Sequence, residues 1–200
     1  MPHDWLVGPS RSDSARERLY GVAGELIAER GVDRFDINEL AARAHCSRAT
    51  IYRHTGGKKQ LVEAVFLRVS TRITDAIRRA VADSTGSERA RTAFTVALRE
   101  IRADPIARQF PQSRSVIDGA QIAVRSPAVS TIAADLLGLD PADTIHTALV
   151  IRSFLALLVW PPADRADEPH LIDTLATGLL LTKEHDARPH ITGRNSPARQ

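Results

Sequence analysis

Over residues 58–81 the apolar side chains fall at Leu61, Val62, Val65, Phe66, Val69, Ile73, Ile77 and Val81. Steps of three and four gather them on one stripe of an α-helix, whereas a half-buried strand needs them at alternate positions. A long helix with one apolar stripe must lay that stripe on other elements, so the chain needs more amphipathic helices. It has them. Leu19, Val22, Ala23, Leu26 and Ile27 repeat the spacing near the start, and Ala93, Phe94, Ala97, Leu98 and Ile101 repeat it over 88–103. Leu171, Ile172, Leu175, Leu179 and Leu180 do so over 170–182, where Gly178 leaves room for the close approach of another helix. No segment alternates between hairpin turns, and there is no internal repeat or Gly-rich phosphate loop. The fold class expected is all-α, with about nine or ten helices.

Helix starts and stops divide the chain further. Ser14 with Glu17 reads as a capping box opening the first helix, and Gly31 as its stop. Asp36 with Glu39 repeats the start signal, Ser47 caps a third, short helix, and Gly56 and Gly57 end it. Pro105 and Pro111 bound a short broken piece, and 113–124 and 127–137 read as two more helices. Asp140 reads as the cap of the next helix, with Pro141 in its first turn and Asp143 at its positive end. The organisation expected is a loose arm over 1–13, a three-helix unit over 14–60, a larger helical unit over 61–183 and a disordered polar tail over 184–200.

Several function classes fall away. The single cysteine, Cys46, rules out an intrachain disulfide and reads as a small buried residue. The seven histidines are scattered and form no metal pattern with nearby acids, and no Ser-His-Asp set can be assembled. No catalytic residue, metal or cofactor is expected. There is no apolar signal core behind a basic start, and the run Leu155 to Trp160 is far too short to span a bilayer, so the protein is expected in the cytoplasm.

What the charges exclude globally they point to locally. The chain holds 27 Lys and Arg against 24 Asp and Glu. Five of those cations, Arg43, Arg48, Arg53, Lys58 and Lys59, lie between Leu40 and Val62, where there is no acid, which leaves 22 cations against 24 acids elsewhere. Acids repel phosphate, and a cationic, acid-free short helix following a tight turn is the footprint of a helix-turn-helix reader of duplex DNA. In that unit the second helix, here 47–54, puts its N-terminal half against base edges. Ile51 and Ala49 are expected to hold it to the preceding helix.

The stretch "DINELAARAHCSRATIYRHTGGKKQLVEAVF" resembles the helix-turn-helix signature of the tetracycline-repressor (TetR) family of bacterial transcription regulators, and the likeness extends over 14–66. It implies an N-terminal DNA-binding domain, a larger ligand-binding and dimerisation domain, and a DNA-binding set of Asn38, Ser47, Arg48, Thr50, Tyr52, Arg53, His54 and Lys58. Tyr52 matches the family's recognition-helix tyrosine, which commonly touches a phosphate or a thymine methyl. Thr50 and His54 match backbone-contacting positions, and Lys58 matches the lysine that opens the fourth helix and meets phosphate. Arg48 and Arg53 stand at the variable positions that set base preference, where Arg pairs readily with guanine. Asn38 would add a phosphate bond from its side chain or backbone N–H. Two residues depart from the pattern. His45 stands where the turn usually has Gly, at some cost for a positive φ, and Thr55 stands where an aromatic usually packs between the third and fourth helices, which predicts a softer joint.

The resemblance also implies a repressor released from a palindromic operator by a small hydrophobic effector, with regulation through a partner protein as the alternative. Phe94, Leu98, Phe110, Ile117, Ile122 and Phe154 are the candidate ligand-lining residues; plain core is the competing reading of each. His146 and Arg152 are the polar residues of the most apolar helix. Surplus apolar surface over 140–160 and 170–181 predicts a homodimer through the last two long helices, whose two-fold axis would match a palindrome.

Overall fold

The computed structural model describes residues 11–114 and 116–186. Among them are nine α-helices, three short 3₁₀ turns and no strand. Helix α1 (Arg11–Arg30) begins ahead of Ser14, so Ser14 lies within the helix and caps nothing, and residues 11–13 belong to the helix instead of an arm. The rest of the expected arm, 1–10, and the tail from 187 onward lie outside the described residues. Gly31 ends α1 at a φ of 81°, a conformation a side chain would strain.

Helix α2 (Ile37–Arg43) is capped by Asp36, whose carboxylate accepts the Asn38 N–H. Glu39 does not close a capping box. It lies 2.7 Å from Arg30 at the end of α1, where a guanidinium offers a stronger bond than a neutral amide. The chain then turns through Ala44, His45 and Cys46. The Cys46 N–H donates to Ala41 at 3.0 Å and the His45 N–H to Ala42 at 3.3 Å, a Schellman closure with His45 at φ 51° in the place glycine usually takes.

Helix α3 (Arg48–Thr55) starts on the Ser47 hydroxyl, which accepts the Thr50 N–H at 3.1 Å, and stops on Gly56 at φ 79°. Ile51 and Thr55 face inward, but Ala49 is exposed and holds α3 to nothing. Two residues from Ile51 is about 200° around a helix, so the two cannot share a face. Thr55 is buried with its hydroxyl donated to the Ile51 carbonyl at 2.9 Å, so the polar residue in an aromatic's place is satisfied.

Helix α4 (Lys58–Ala80) joins two cores. Leu61 and Val65 close the first with Leu19, Ala23, Leu26, Ile27, Phe35, Ile37, Leu40, Ala44 and Ile51; Cys46 packs half-buried at its edge. Val69, Ile73 and Ile77 face the second, against α5 (Gly86–Ala103), which starts two residues before the expected 88. A 3₁₀ turn over Ala107–Gln112 holds Pro111. Helices α6 (Val116–Arg125) and α7 (Pro127–Leu137) follow, then α8 (Thr144–Val159) and α9 (Glu168–Asp186).

The cap of α8 is Asp143, which accepts the His146 N–H at 3.1 Å. Asp140 instead accepts the Ala142 N–H at 2.9 Å and closes the turn before the helix, so Pro141 sits in a loop and not in a first helical turn. The polar pair of α8 is satisfied locally: the His146 ring lies 2.6 Å from Asp143, and Arg152 donates to the Ala148 carbonyl. Helix α9 starts at Glu168 and takes in 184–186, which the sequence assigns to the tail. Among the described residues nothing approaches Gly178 within 4 Å, so no helix of the described fold uses its missing Cβ. Phe94, Leu98, Val150, Leu157, Leu158 and Ile172 form a third core among α5, α8 and α9.

Candidate nucleic-acid interface

Ile51 fixes the orientation of α3. With that side chain fully buried, helical spacing turns Arg48, Tyr52 and Arg53 outward, and all three are exposed. No acid lies on α3, and Arg48 and Arg53 make no hydrogen bond or ion pair among the described residues. A guanidinium left without a partner keeps its planar fork available for a phosphate or a base edge. Thr50 is half-exposed with its hydroxyl 3.0 Å from that of Ser47, so the two cap residues sit together at the N-terminus of α3.

The glycine pair acts on Tyr52. Gly57 has a φ of 124°, and a Cβ built there would stand 3.1 Å from Tyr52 Cε1. The ring therefore lies along the bare backbone of Gly57, and 47% of the residue stays exposed. Any side chain at 57 would both strain the backbone and push the ring off its seat. This role of Gly57 is not apparent in the sequence, where two adjacent glycines read only as a stop.

Helix α4 begins at Lys58 with no side-chain cap and no acid in its first turn. Its first N–H groups are open to an anion beside α3. Lys58 itself turns back. Its ammonium donates to the Phe35 carbonyl and stands 5.8 Å from the centre of the Phe35 ring, which ties the start of α4 to the turn before α2. An ammonium has three N–H donors, so two remain. Lys59 is exposed and only loosely paired, 3.9 Å from Glu63.

The rest of the candidate set is ordered by its neighbours. His54 is held at the end of α3 by α1, where Arg16 donates to its carbonyl at 3.2 Å and Ser12 lies 3.4 Å from its ring. Asn38 is exposed, but its N–H is already given to Asp36, so only its side chain is free to meet phosphate. Arg43, one of the five clustered cations, is drawn away from the patch. It makes a two-pronged bond to Glu29 at 2.8 and 2.9 Å, which holds the Glu29 carboxyl below its ordinary range and raises Arg43.

The second unit holds a cavity of about 370 Å³ between α4, α5, α7 and α8. Three of the candidate lining residues, Phe94, Phe110 and Phe154, form part of its wall, the first and last with rings edge to face at 5.9 Å. Leu98 is buried away from it in the third core. Ile117 and Ile122 lie on the outer side of α6, Ile122 with 70% of its surface exposed. The sequence marks 113–124 as a helix but gives no means of telling its cavity side from its outer side. Residues missed from the sequence are Ser70 and Thr74, which among the described residues are the only hydroxyls in the wall. Among the described residues no group of His, Cys, Asp and Glu is placed to hold a metal, and no helix is long and apolar enough to cross a membrane.

A family model described as bacterial regulatory proteins, tetR family, matches residues 19–65. An uncharacterised HTH-type transcriptional regulator of Mycobacterium tuberculosis is 33% identical over 192 residues, covering 92% of this chain and 94% of that protein. The DNA-binding transcriptional repressor TetR of Mycobacteroides abscessus is 36% identical over 55 residues, 28% of this chain and 29% of the repressor. Among solved structures, the TetR family repressor AlkX from Dietzia superposes with a TM-score of 0.57 at 17% identity, covering 83% of this chain and 95% of that one. A TetR-family regulator from Streptomyces coelicolor gives 0.55 at 17%, covering 88% and 99%. At such identities the structural likeness speaks for the fold.

Proposed function

The chain is a transcriptional regulator belonging to the tetR family of bacterial regulatory proteins, and from that premise we propose that it is a repressor. Two copies hold a palindromic operator and release it when a small apolar molecule enters the cavity. The observation that carries the DNA-binding part is the outward face of α3: Arg48, Tyr52 and Arg53 exposed, two of them unpaired cations, beside the uncapped start of α4. Arg48 and Arg53 read bases; Tyr52, Thr50, Ser47, His54, Lys58 and the Asn38 side chain hold phosphate.

Pairing of two copies has support in the apolar surface of the last two helices. Ile145 is 80% exposed, and Leu149, Trp160 and Leu171 are exposed beside it in sequence or on α9. Covering them with the same face of a second copy gives a two-fold assembly, and a two-fold pair of reading helices calls for an inverted repeat. Release has support in the cavity, which lies against α4, the helix whose first turn borders the DNA face. A ligand favouring one setting of α4 shifts operator affinity by its differential affinity for that setting.

Selection of bound fragments from genomic DNA tests the reading. The expected result is recovery of one inverted repeat, bound with an affinity that falls steeply as salt rises. Recovery of no repeat, or binding indifferent to salt, overturns it.

A further inference from the structure

The cavity wall formed by α4 carries two ridges. Val69, Ile73 and Ile77 form the inner, buried one, and Phe66, Ser70 and Thr74 form the one beside it, toward the surface. Spanning from 66 to 77, the wall is about 16 Å long at 1.5 Å per residue. Opposite stand apolar side chains of α5, α7 and α8, and among the described residues no charged side chain reaches the cavity. Its volume of about 370 Å³ is in the range that holds small organic ligands.

Ser70 and Thr74 keep free a hydroxyl that several helical threonines give to their own backbone. Thr71, Thr131, Thr147 and Thr174 each donate to the carbonyl four residues earlier, at 2.8–3.0 Å. Ser70 and Thr74 make no hydrogen bond among the described residues, although the same carbonyls lie within one turn of them. One turn apart on one ridge, they offer two donor-acceptor groups to a single point of an otherwise apolar wall. The cations flanking them are spent. Arg72 is held by Asp104, and Arg78 by Asp75 and Asp135. A carboxylate placed at Ser70 and Thr74 would therefore meet no counter-charge in the wall.

Resting on the reading of this cavity as the effector site, we propose that its ligand is an uncharged amphiphile. Its hydrocarbon body lies along Val69, Ile73 and Ile77, and its one polar group, a hydroxyl or carbonyl, turns to the Ser70 and Thr74 hydroxyls. An apolar pocket with a few placed polar groups fixes a ligand's orientation through those groups. Ser70 and Thr74 thus set which way round the molecule sits and which head group is accepted.

The test measures binding of octane, 1-octanol and octanoate to the full chain at neutral pH, without DNA, for the wild type and for Ser70→Ala/Thr74→Val. Valine copies the shape of threonine, so the cavity keeps its form. The expected result is that the double variant weakens 1-octanol about 5- to 10-fold, the worth of one or two neutral hydrogen bonds, and leaves octane within about twofold. Octanoate binds the wild type at least about tenfold more weakly than 1-octanol. An equal loss for octane and 1-octanol, no loss for 1-octanol, octanoate binding as tightly as 1-octanol, or no binding of any of the three overturns the proposal. Operator release is scored separately. If 1-octanol binds with the Ser70 and Thr74 signature but leaves DNA affinity unchanged, the amphiphile site stands and the repressor-release reading fails.

Discussion

Ala23, Leu40 and Ile51 in the reading unit have no exposed surface, and the side chains around them close on one another. In the second unit the same α4 carries Val69, Ile73 and Ile77 along a cavity of about 370 Å³. The cations divide the opposite way. In the second unit Arg72, Arg78, Arg91 and Arg102 are each bound to a carboxylate of another helix or loop. On α3, Arg48 and Arg53 are bound to nothing described. The reading unit is full inside and leaves the arginines of α3 uncommitted outside, and the second unit ties these four arginines outside and is open inside. On the proposed function, each leaves incomplete the part that meets something else. A reader must present its side chains at fixed positions, which demands a rigid core behind them. A ligand site must keep space, and gives up packing contacts to do so.

The largest expected effect tests the interiors. Ala23→Leu adds three carbons to a fully buried site and should cost about 3 kcal/mol. Ala133→Leu, on the cavity wall, should cost less than about 1 kcal/mol or stabilise the fold by filling space. Urea unfolding of both variants decides, and equal losses would break the contrast. The next effect tests the cations. Arg48→Ala should cost about 2 kcal/mol on the selected operator and relax preference at one base pair. Arg91→Ala removes an arginine already tied to Asp173, so operator affinity should stay within about twofold. If both substitutions weaken binding equally on random DNA, Arg48 acts only as bulk charge.

The contrast was legible in the sequence on one side only. The reading unit is built from local signals: the Asp36 and Ser47 caps, the Gly56 stop and the His45 turn all act within five residues, and each forms as the residues indicate. The outward residues of α3 could be named because Ile51 marks the inner side of a short helix. In the second unit the choices are tertiary. Leu98 and Phe94 share one helical face, yet one is buried in the third core and the other reaches the cavity as well. Ile117 and Ile122 fit the apolar pattern but face outward. Periodicity shows that a stripe is apolar and not which neighbour it meets. The Asp140 expectation failed because two aspartates three residues apart each suit a cap, and only the path of the preceding turn separates them.

A smaller effect concerns how α9 is held to α5. Arg102 forms a two-pronged bond to Glu168, both contacts at 2.6 Å, and the pair is largely buried. That bond holds the Glu168 carboxyl below its ordinary value of 4.5. A depressed folded value means the stabilisation is present above the unfolded pKa and is lost as pH falls through the folded one. Glu168→Gln should therefore cost about 1 kcal/mol at neutral pH. The gap between wild type and variant should close only in acid, below about pH 4. Unfolding curves along that range check it, and a gap that widens in acid would show that the carboxylate is not the stabilising form.

The smallest effect lies at the turn of the reading unit itself, where rigidity carries a local strain. His45 holds φ at 51° so that its own N–H and that of Cys46 can close the last carbonyls of α2. An L-residue in that region costs about 1–2 kcal/mol, and glycine does not. Glycine gives back about 0.5–1 kcal/mol because its unfolded chain is freer. The difference leaves His45→Gly more stable by about 0.5 kcal/mol, with the slope of the denaturant curve unchanged. His45→Val should move stability the other way, since a β-branched side chain tolerates positive φ poorly. The backbone bonds are the same in the glycine variant, so α3 keeps its setting and operator affinity should not change. A stability loss in His45→Gly would mean that the imidazole makes a contact worth more than the strain it imposes. The departure from glycine at this turn would then be a means of holding α2 against α3 and not a tolerated cost.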